Sequence, residues 1–201
     1  MAEEIIEQSY RELADTILEH NPGVDLGRVR AAFELADRAH SGQKRKAGTP
    51  YVTHCVAAAQ ICAEMGLDED SIVAALLHDC IEDTAITHED IARQFGAEVA
   101  DIVEGVTKLT RVQFTSREDE QMENLRKMLM AMAKDIRVIL IKIADRLHNM
   151  RTLEYCKPEK RQRKAREVLD VYAPLASRFG MGAIKCEMED LAFHYLMPEE
   201  Y

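Results

Sequence analysis

Apolar positions along this chain recur at helical spacing, and alternating patterns bounded by turn residues are nearly absent. A first helix is expected over residues 4–20, closed by Pro22 and Gly23, and a second begins near Asp25. Thr49-Pro50 reads as an N-cap followed by proline at the first helical position, opening a helix across 50–65 that Gly66 ends. Another helix starts near Asp68 and continues through SIVAALLHDCIED, as far as Asp83. Thr87 and Gly96 frame a short helix, and Glu98 to Lys108 make the next. No proline lies between Pro50 and Pro158, and residues 117–134 read as an amphipathic, Met-rich segment. The run Val138-Ile139-Leu140-Ile141 has strand composition. Its apolar pattern continues unbroken to Met150, too long for most strands, so a helix is expected there. Beyond Pro158 come a basic stretch, KRQRKAR, then YAPLASRFG and a final helix near 183–196. The expected architecture is all-α, without internal repeats or low-complexity segments.

Polar residues interrupt this pattern where apolar ones belong. Ile72 to Leu77 is apolar on all sides and so expected to be central. It runs directly into His78 and Asp79, then Glu82 and Asp83. On a helix Asp79 shares a face with Glu82 and Asp83, and His78 faces Glu82. Three carboxylates gathered on a buried face repel one another and lose hydration. A bound cation resolves that conflict, whereas a helix that simply emerges into solvent has none to resolve. The run ending at Ile143-Ala144 likewise leads to Asp145, with His148 and Asn149 three and four residues on. His54 sits among small and apolar residues in VTHCVAAAQIC. Two histidines and two aspartates on three apolar helices are explained together by a mixed nitrogen–oxygen metal site.

Composition narrows the function classes. The 201 residues carry 26 Lys and Arg against 36 Asp and Glu, a net charge of −10, which disfavours whole-surface nucleic-acid binding. Trp is absent and aromatics make up 5%, too few for base-stacking platforms. Any anionic substrate therefore needs a local positive cluster or a bound cation, and Lys44, Arg45 and Lys46 form such a cluster. No apolar run approaches the ~18–20 residues of a membrane span. The N-terminus, MAEEIIEQSY, is acidic where a signal or transit peptide would be basic. Cys55, Cys62, Cys80, Cys156 and Cys186 are odd in number and lack paired spacing, as expected of reduced thiols in a cytoplasmic protein.

The order His54, His78-Asp79, Asp145 in an all-α chain resembles the HD phosphohydrolase superfamily. More specifically, AHSGQKRKAGTPYVTH, AALLHDCIEDT, FGAEVADIVEGVTKL, ENLRKMLMAMAKDIRVILIKIADRLHNMRTL and YAPLASRFG resemble, block after block, the hydrolase domain of bacterial long RelA/SpoT homologues. Those bifunctional enzymes make and degrade the alarmone (p)ppGpp in the stringent response. The resemblance covers residues 28–201. It implies an HD-domain helical bundle that hydrolyses the 3′-pyrophosphate of (p)ppGpp to GDP or GTP plus pyrophosphate. It further implies a Mn²⁺ ion held by His54, His78, Asp79 and Asp145, with Glu82 and Asp83 orienting or deprotonating the attacking water. Arg45 and Lys46 match the family's substrate-binding pair, able to stack on a purine or contact phosphate. Asn149 matches the asparagine that meets the ribose or positions a ligand, and Thr152 lies at the same edge. Arg146 and His148 belong to the same motif, and Arg146 reads as structural or as a support behind the ligands.

Three departures accompany the match. Ala47 replaces a serine of the usual RKSG, Cys55 a proline after the first metal histidine, and Cys80 an aliphatic residue after the HD pair. Both thiols read as small packing residues, or else as groups biasing the site toward a softer metal such as zinc. The implied division is an N-terminal helix over 1–24, the hydrolase core over 25–157, and helices over 158–201 resembling the connection to a synthetase domain in cis. The chain stops at MPEEY, before any synthetase motif, so a hydrolase-domain fragment or a stand-alone hydrolase is expected. The partner expected is a small guanine nucleotide, with neither nucleic acid nor membrane. Two other functions compete with this reading: an HD nucleotidase acting on another nucleotide, and a catalytically silent regulatory module.

Overall fold

The computed structural model of the chain describes residues 2–110 and 134–199. Apart from Lys134, the Met-rich segment expected over 117–134 lies outside them. The described residues are helical throughout, without strands, apart from an isolated bridge between Lys44 and Pro50. The all-α expectation holds, and the run at 138–141 is helix. The chain divides into two units, Met1–Lys142 and Ile143–Tyr201, and the boundary falls inside one helix.

The first unit holds α1 (Ala2–His20), α2 (Leu26–Ala39), α3 (Val52–Glu64), α4 (Glu69–Leu77), α5 (Cys80–Asp83), α6 (His88–Phe95) and α7 (Ala97–Thr110). Side-chain chemistry sets most of their ends. Asp25 caps α2 by accepting from Gly27 N, and Asp68 caps α4 by accepting from Ser71 N. Thr87 and Asp90 form a reciprocal capping box on α6. Gly66 takes a φ of 69° after α3, where Leu67 N returns to the Cys62 carbonyl, so a residue with a Cβ would be strained there. At the core is α4, with Ser71 to Leu77 all fully buried, packed on α2, α3 and α7. Its apolarity on every side is that of a helix surrounded by others.

Two boundaries differ from expectation. Helix α3 opens at Val52, not at Pro50. The Pro50 carbonyl accepts from Thr53 N and Thr53 Oγ1, and Pro50 pairs with Lys44, so it closes the preceding turn. The long helix expected from Asp68 to Asp83 is broken at His78-Asp79 into α4 and α5. His78 Nδ1 bonds the Ala75 carbonyl at 2.8 Å, the acceptor Asp79 N would use in an unbroken helix.

Helix α8 (Arg137–Arg151) crosses the unit boundary. The second unit continues with a 3₁₀ turn (Leu153–Tyr155), α9 (Pro158–Glu167), a π-helical turn (Val168–Tyr172), α10 (Ala173–Arg178) and α11 (Gly182–Leu196). Within it, the Arg146 guanidinium lies 5.1 Å from the Tyr172 ring centroid and 3.2 Å from Glu167. The π turn therefore packs on a paired cation.

Candidate metal centre

The break between α4 and α5 sets the chemistry of the first unit's polar cluster. Because a carbonyl oxygen only accepts, the His78 Nδ1 facing Ala75 carries the ring proton. In the neutral ring Nε2 then keeps its lone pair. That Nε2 lies 3.1 Å from Asp79 Oδ2, and His54 Nε2 lies 3.6 Å from the same oxygen. The two imidazoles meet at 5.2 Å between centroids, edge to face, and both histidines are almost fully buried. A lone pair facing a carboxylate oxygen at this distance calls for a proton or a cation between them. Imidazole nitrogen with carboxylate oxygen suits a divalent transition metal, and the backbone hold on the other ring nitrogen is how ligating histidines are oriented. The donor set fits a metal.

Around this cluster stand the other first-unit residues singled out above. Asp83 reaches the same side as Asp79, since one hydroxyl, Tyr51 Oη, lies 2.8 Å from Asp79 Oδ2 and 3.2 Å from Asp83 Oδ2. Glu82 sits half-buried beside it on α5. Arg45 lies in the turn before α3, its guanidinium 5.5 Å from the Tyr51 ring centroid. Lys46 and Ala47 are exposed at the tip of that turn, where Gly48 takes a φ of 84°. The Cys55 thiol, a His78 nitrogen and an Asp79 oxygen all lie within 4.8 Å of one another. Cys80 points elsewhere, its Sγ 3.8 Å from His40 Nε2, and burial pushes its thiol up to about 12.

In the second unit, α8 and the residue just past its end supply the remaining three. Asp145 is buried and accepts from Asn149 Nδ2 one turn later. Thr152 follows the helix end, and its hydroxyl donates to the His148 carbonyl at 3.2 Å. Sequence reasoning missed Tyr51 altogether. The available signal was a tyrosine three residues before His54, at the entry of a helix otherwise built of small and apolar residues.

A helix that ends in His78-Asp79 against the buried His54 of α3 defines a helical domain built around a nitrogen–oxygen metal site. A family model described as HD domain matches residues 32–182, and the chain belongs to that family. The chain is 52% identical over 194 residues to the bifunctional (p)ppGpp synthase/hydrolase SpoT of Escherichia coli (strain K12), covering 96% of this chain and 27% of that protein. It is 54% identical over 176 residues to a GTP pyrophosphokinase of Streptomyces coelicolor, covering 88% of this chain and 20% of the relative. The chain thus spans about a quarter of the length of the curated relatives it matches. Among solved structures it is similar to a metazoan ortholog of SpoT, described as hydrolyzing ppGpp and playing a role in starvation responses. That likeness has a TM-score of 0.66 and 28% identity, over 83% of this chain and 94% of the other.

Proposed function

We propose that this domain is a Mn²⁺-dependent hydrolase that removes the 3′-pyrophosphate of (p)ppGpp, giving GDP or GTP plus pyrophosphate. The observation that carries the reading is the convergence of the His54 and His78 Nε2 atoms on one Asp79 oxygen, with the His78 proton fixed on the opposite nitrogen. The likeness to a ppGpp-hydrolyzing structure across nearly its full length supports the choice of substrate. The names of the relatives include both synthase and hydrolase, and a site of histidines and acids serves the second.

In this proposal Asp145 joins His54, His78 and Asp79 as ligands, and Asn149 holds the Asp145 carboxylate in place. A divalent cation held by these residues would supply Lewis acidity toward a phosphate oxygen and toward water. The chain's own groups do the rest. Glu82 and Asp83 orient the attacking water and accept its proton. Arg45 and Lys46 neutralise the nucleotide's phosphates or stack on its base. Thr152 Oγ1 keeps its lone pairs available to a ribose hydroxyl while it donates its hydrogen bond to the His148 carbonyl. The hydrolase core then occupies 25–157, between an N-terminal helix and the 158–201 helices, which adjoin a synthetase domain where one is present. The setting is the bacterial cytoplasm, and no helix among the described residues is long and apolar enough to cross a membrane.

The test is incubation of the chain with ppGpp and excess Mn²⁺, quantifying GDP and pyrophosphate together. Equimolar GDP and pyrophosphate, abolished by chelation, is the expected result. Release of inorganic phosphate, or no turnover with metal demonstrably bound, overturns the proposal.

A further inference from the structure

The Tyr51 hydroxyl contacts two carboxylates that belong to different parts of the α4–α5 break. Asp79 stands at the break, and Asp83 ends the short helix beyond it. Facing two carboxylate oxygens, which only accept, the phenol hydroxyl is the donor. The ring cannot swing away. One face stacks on buried His40 at 4.6 Å and 23°. His40 Nδ1 is in turn bonded to Gln43 Oε1 at 2.9 Å. The His54 ring stands edge-on to the Tyr51 ring at 5.9 Å. Gln43 also accepts the Tyr51 backbone N–H at its carbonyl and donates Nε2 to the Asp83 carbonyl at 3.2 Å. The turn that carries Arg45 is thus tied to α5 through both the ring and the backbone.

We infer that Tyr51 is a positioning residue whose hydroxyl holds the Asp83 carboxylate in register with Asp79, while its ring is the platform for Arg45. This rests on the hydrolase reading of the same site. A short helix of four residues does not fix its own last side chain, and a proton acceptor must be held within hydrogen-bond reach of the water it serves. The hydroxyl supplies that hold from a separate segment. Asp79 also stands against His54 and His78 at the helix break, whereas Asp83 is exposed at the end of α5, so removing the hydroxyl alters turnover more than binding.

The experiment compares Tyr51→Phe with the unmodified chain for ppGpp hydrolysis, and measures Mn²⁺ affinity by calorimetry. Phenylalanine keeps the ring on His40, and assays run below each variant's melting temperature keep the comparison on folded chains. The expected kcat falls about 10- to 100-fold, with KM and Mn²⁺ affinity within about 3-fold. In an Asp83→Asn background the same change costs no further turnover, because the group it positions is already gone. Tyr51→Leu, which also removes the platform, raises KM for ppGpp in addition. An unchanged kcat in Tyr51→Phe, losses additive with Asp83→Asn, or Mn²⁺ affinity falling in step with kcat each overturns the role. Absence of turnover by the unmodified chain with Mn²⁺ bound defeats the hydrolase reading instead, and the Tyr51 role falls with it.

Discussion

Asp79 and Asp145 both follow a buried apolar run, yet Asp79 stands at a break between two helices and Asp145 inside an unbroken one. Asp79 is met by a hydroxyl from a turn 28 residues away in the chain, so its geometry exists only once α3 and the turn before it have packed. Asp145 is met by Asn149 on its own helix, a contact available as soon as α8 forms. The break has a consequence the intact helix lacks. There His78 Nδ1 meets the Ala75 carbonyl, which fixes that ring's proton. The ring proton is thus set by a contact three residues back in the chain, whereas the direction of Asp79 depends on the tertiary contact with Tyr51.

The largest effect expected from breaking this arrangement is at the acids beyond the break. Glu82→Gln combined with Asp83→Asn should lower kcat for ppGpp by roughly 10²- to 10⁴-fold while leaving Mn²⁺ and nucleotide affinity intact, since only proton transfer is removed. Steady-state kinetics with calorimetry reads this directly. Were metal affinity to fall as far as turnover, the α5 acids would belong to the ligand set with Asp79. A native rate in the double variant would return both residues to the role of solvated acids.

What the sequence made legible follows the range of the interactions involved. Capping is local, so Asp25, Asp68, Thr87 and Gly96 mark helix ends that the structure shows. The continuous apolar run from Val138 to Met150 is a helix for the reason its length suggested. The break at His78-Asp79 was not legible, because it depends on one histidine nitrogen preferring a carbonyl over its other neighbours. Pro50 misled for a similar reason: its pairing with Lys44 decides that it closes a turn, and pattern alone shows no pairing. Of the site, the histidines and carboxylates stood out as polar residues in apolar helices. Tyr51 did not, because a half-buried tyrosine fits an amphipathic pattern and only packing reveals which carboxylates its hydroxyl meets.

A smaller effect is expected at the other end of α4, where Asp68 fixes the start of the helix that leads to the break. Burial opposes its charge, but bonds from Ser71 and from Arg137 at 3.0 Å outweigh burial and hold its carboxyl below the usual range. Asp135 is held low as well, chiefly by Arg137. A depressed folded pKa means the stabilisation is complete above the unfolded value near pH ~4 and is lost as pH falls through the folded value. Asp68→Ala should therefore lower Tm by about 2–4 °C at pH 7, the effect of a lost cap near 1 kcal/mol in a chain of this size. The gap should narrow as melts are taken below pH ~4. A gap that stays constant into acid would mean the carboxylate charge is not what holds the start of α4.

The proposed ligand set puts Asp145, tethered on its own helix, with Asp79, His54 and His78. Titrating Mn²⁺ into Asp145→Asn by calorimetry tests it most directly, because asparagine keeps the shape and the contact with Asn149 while removing the charge. Most Mn²⁺ binding should be lost while circular dichroism shows the helical content unchanged. Mn²⁺ binding equal to that of the unmodified chain would contradict it.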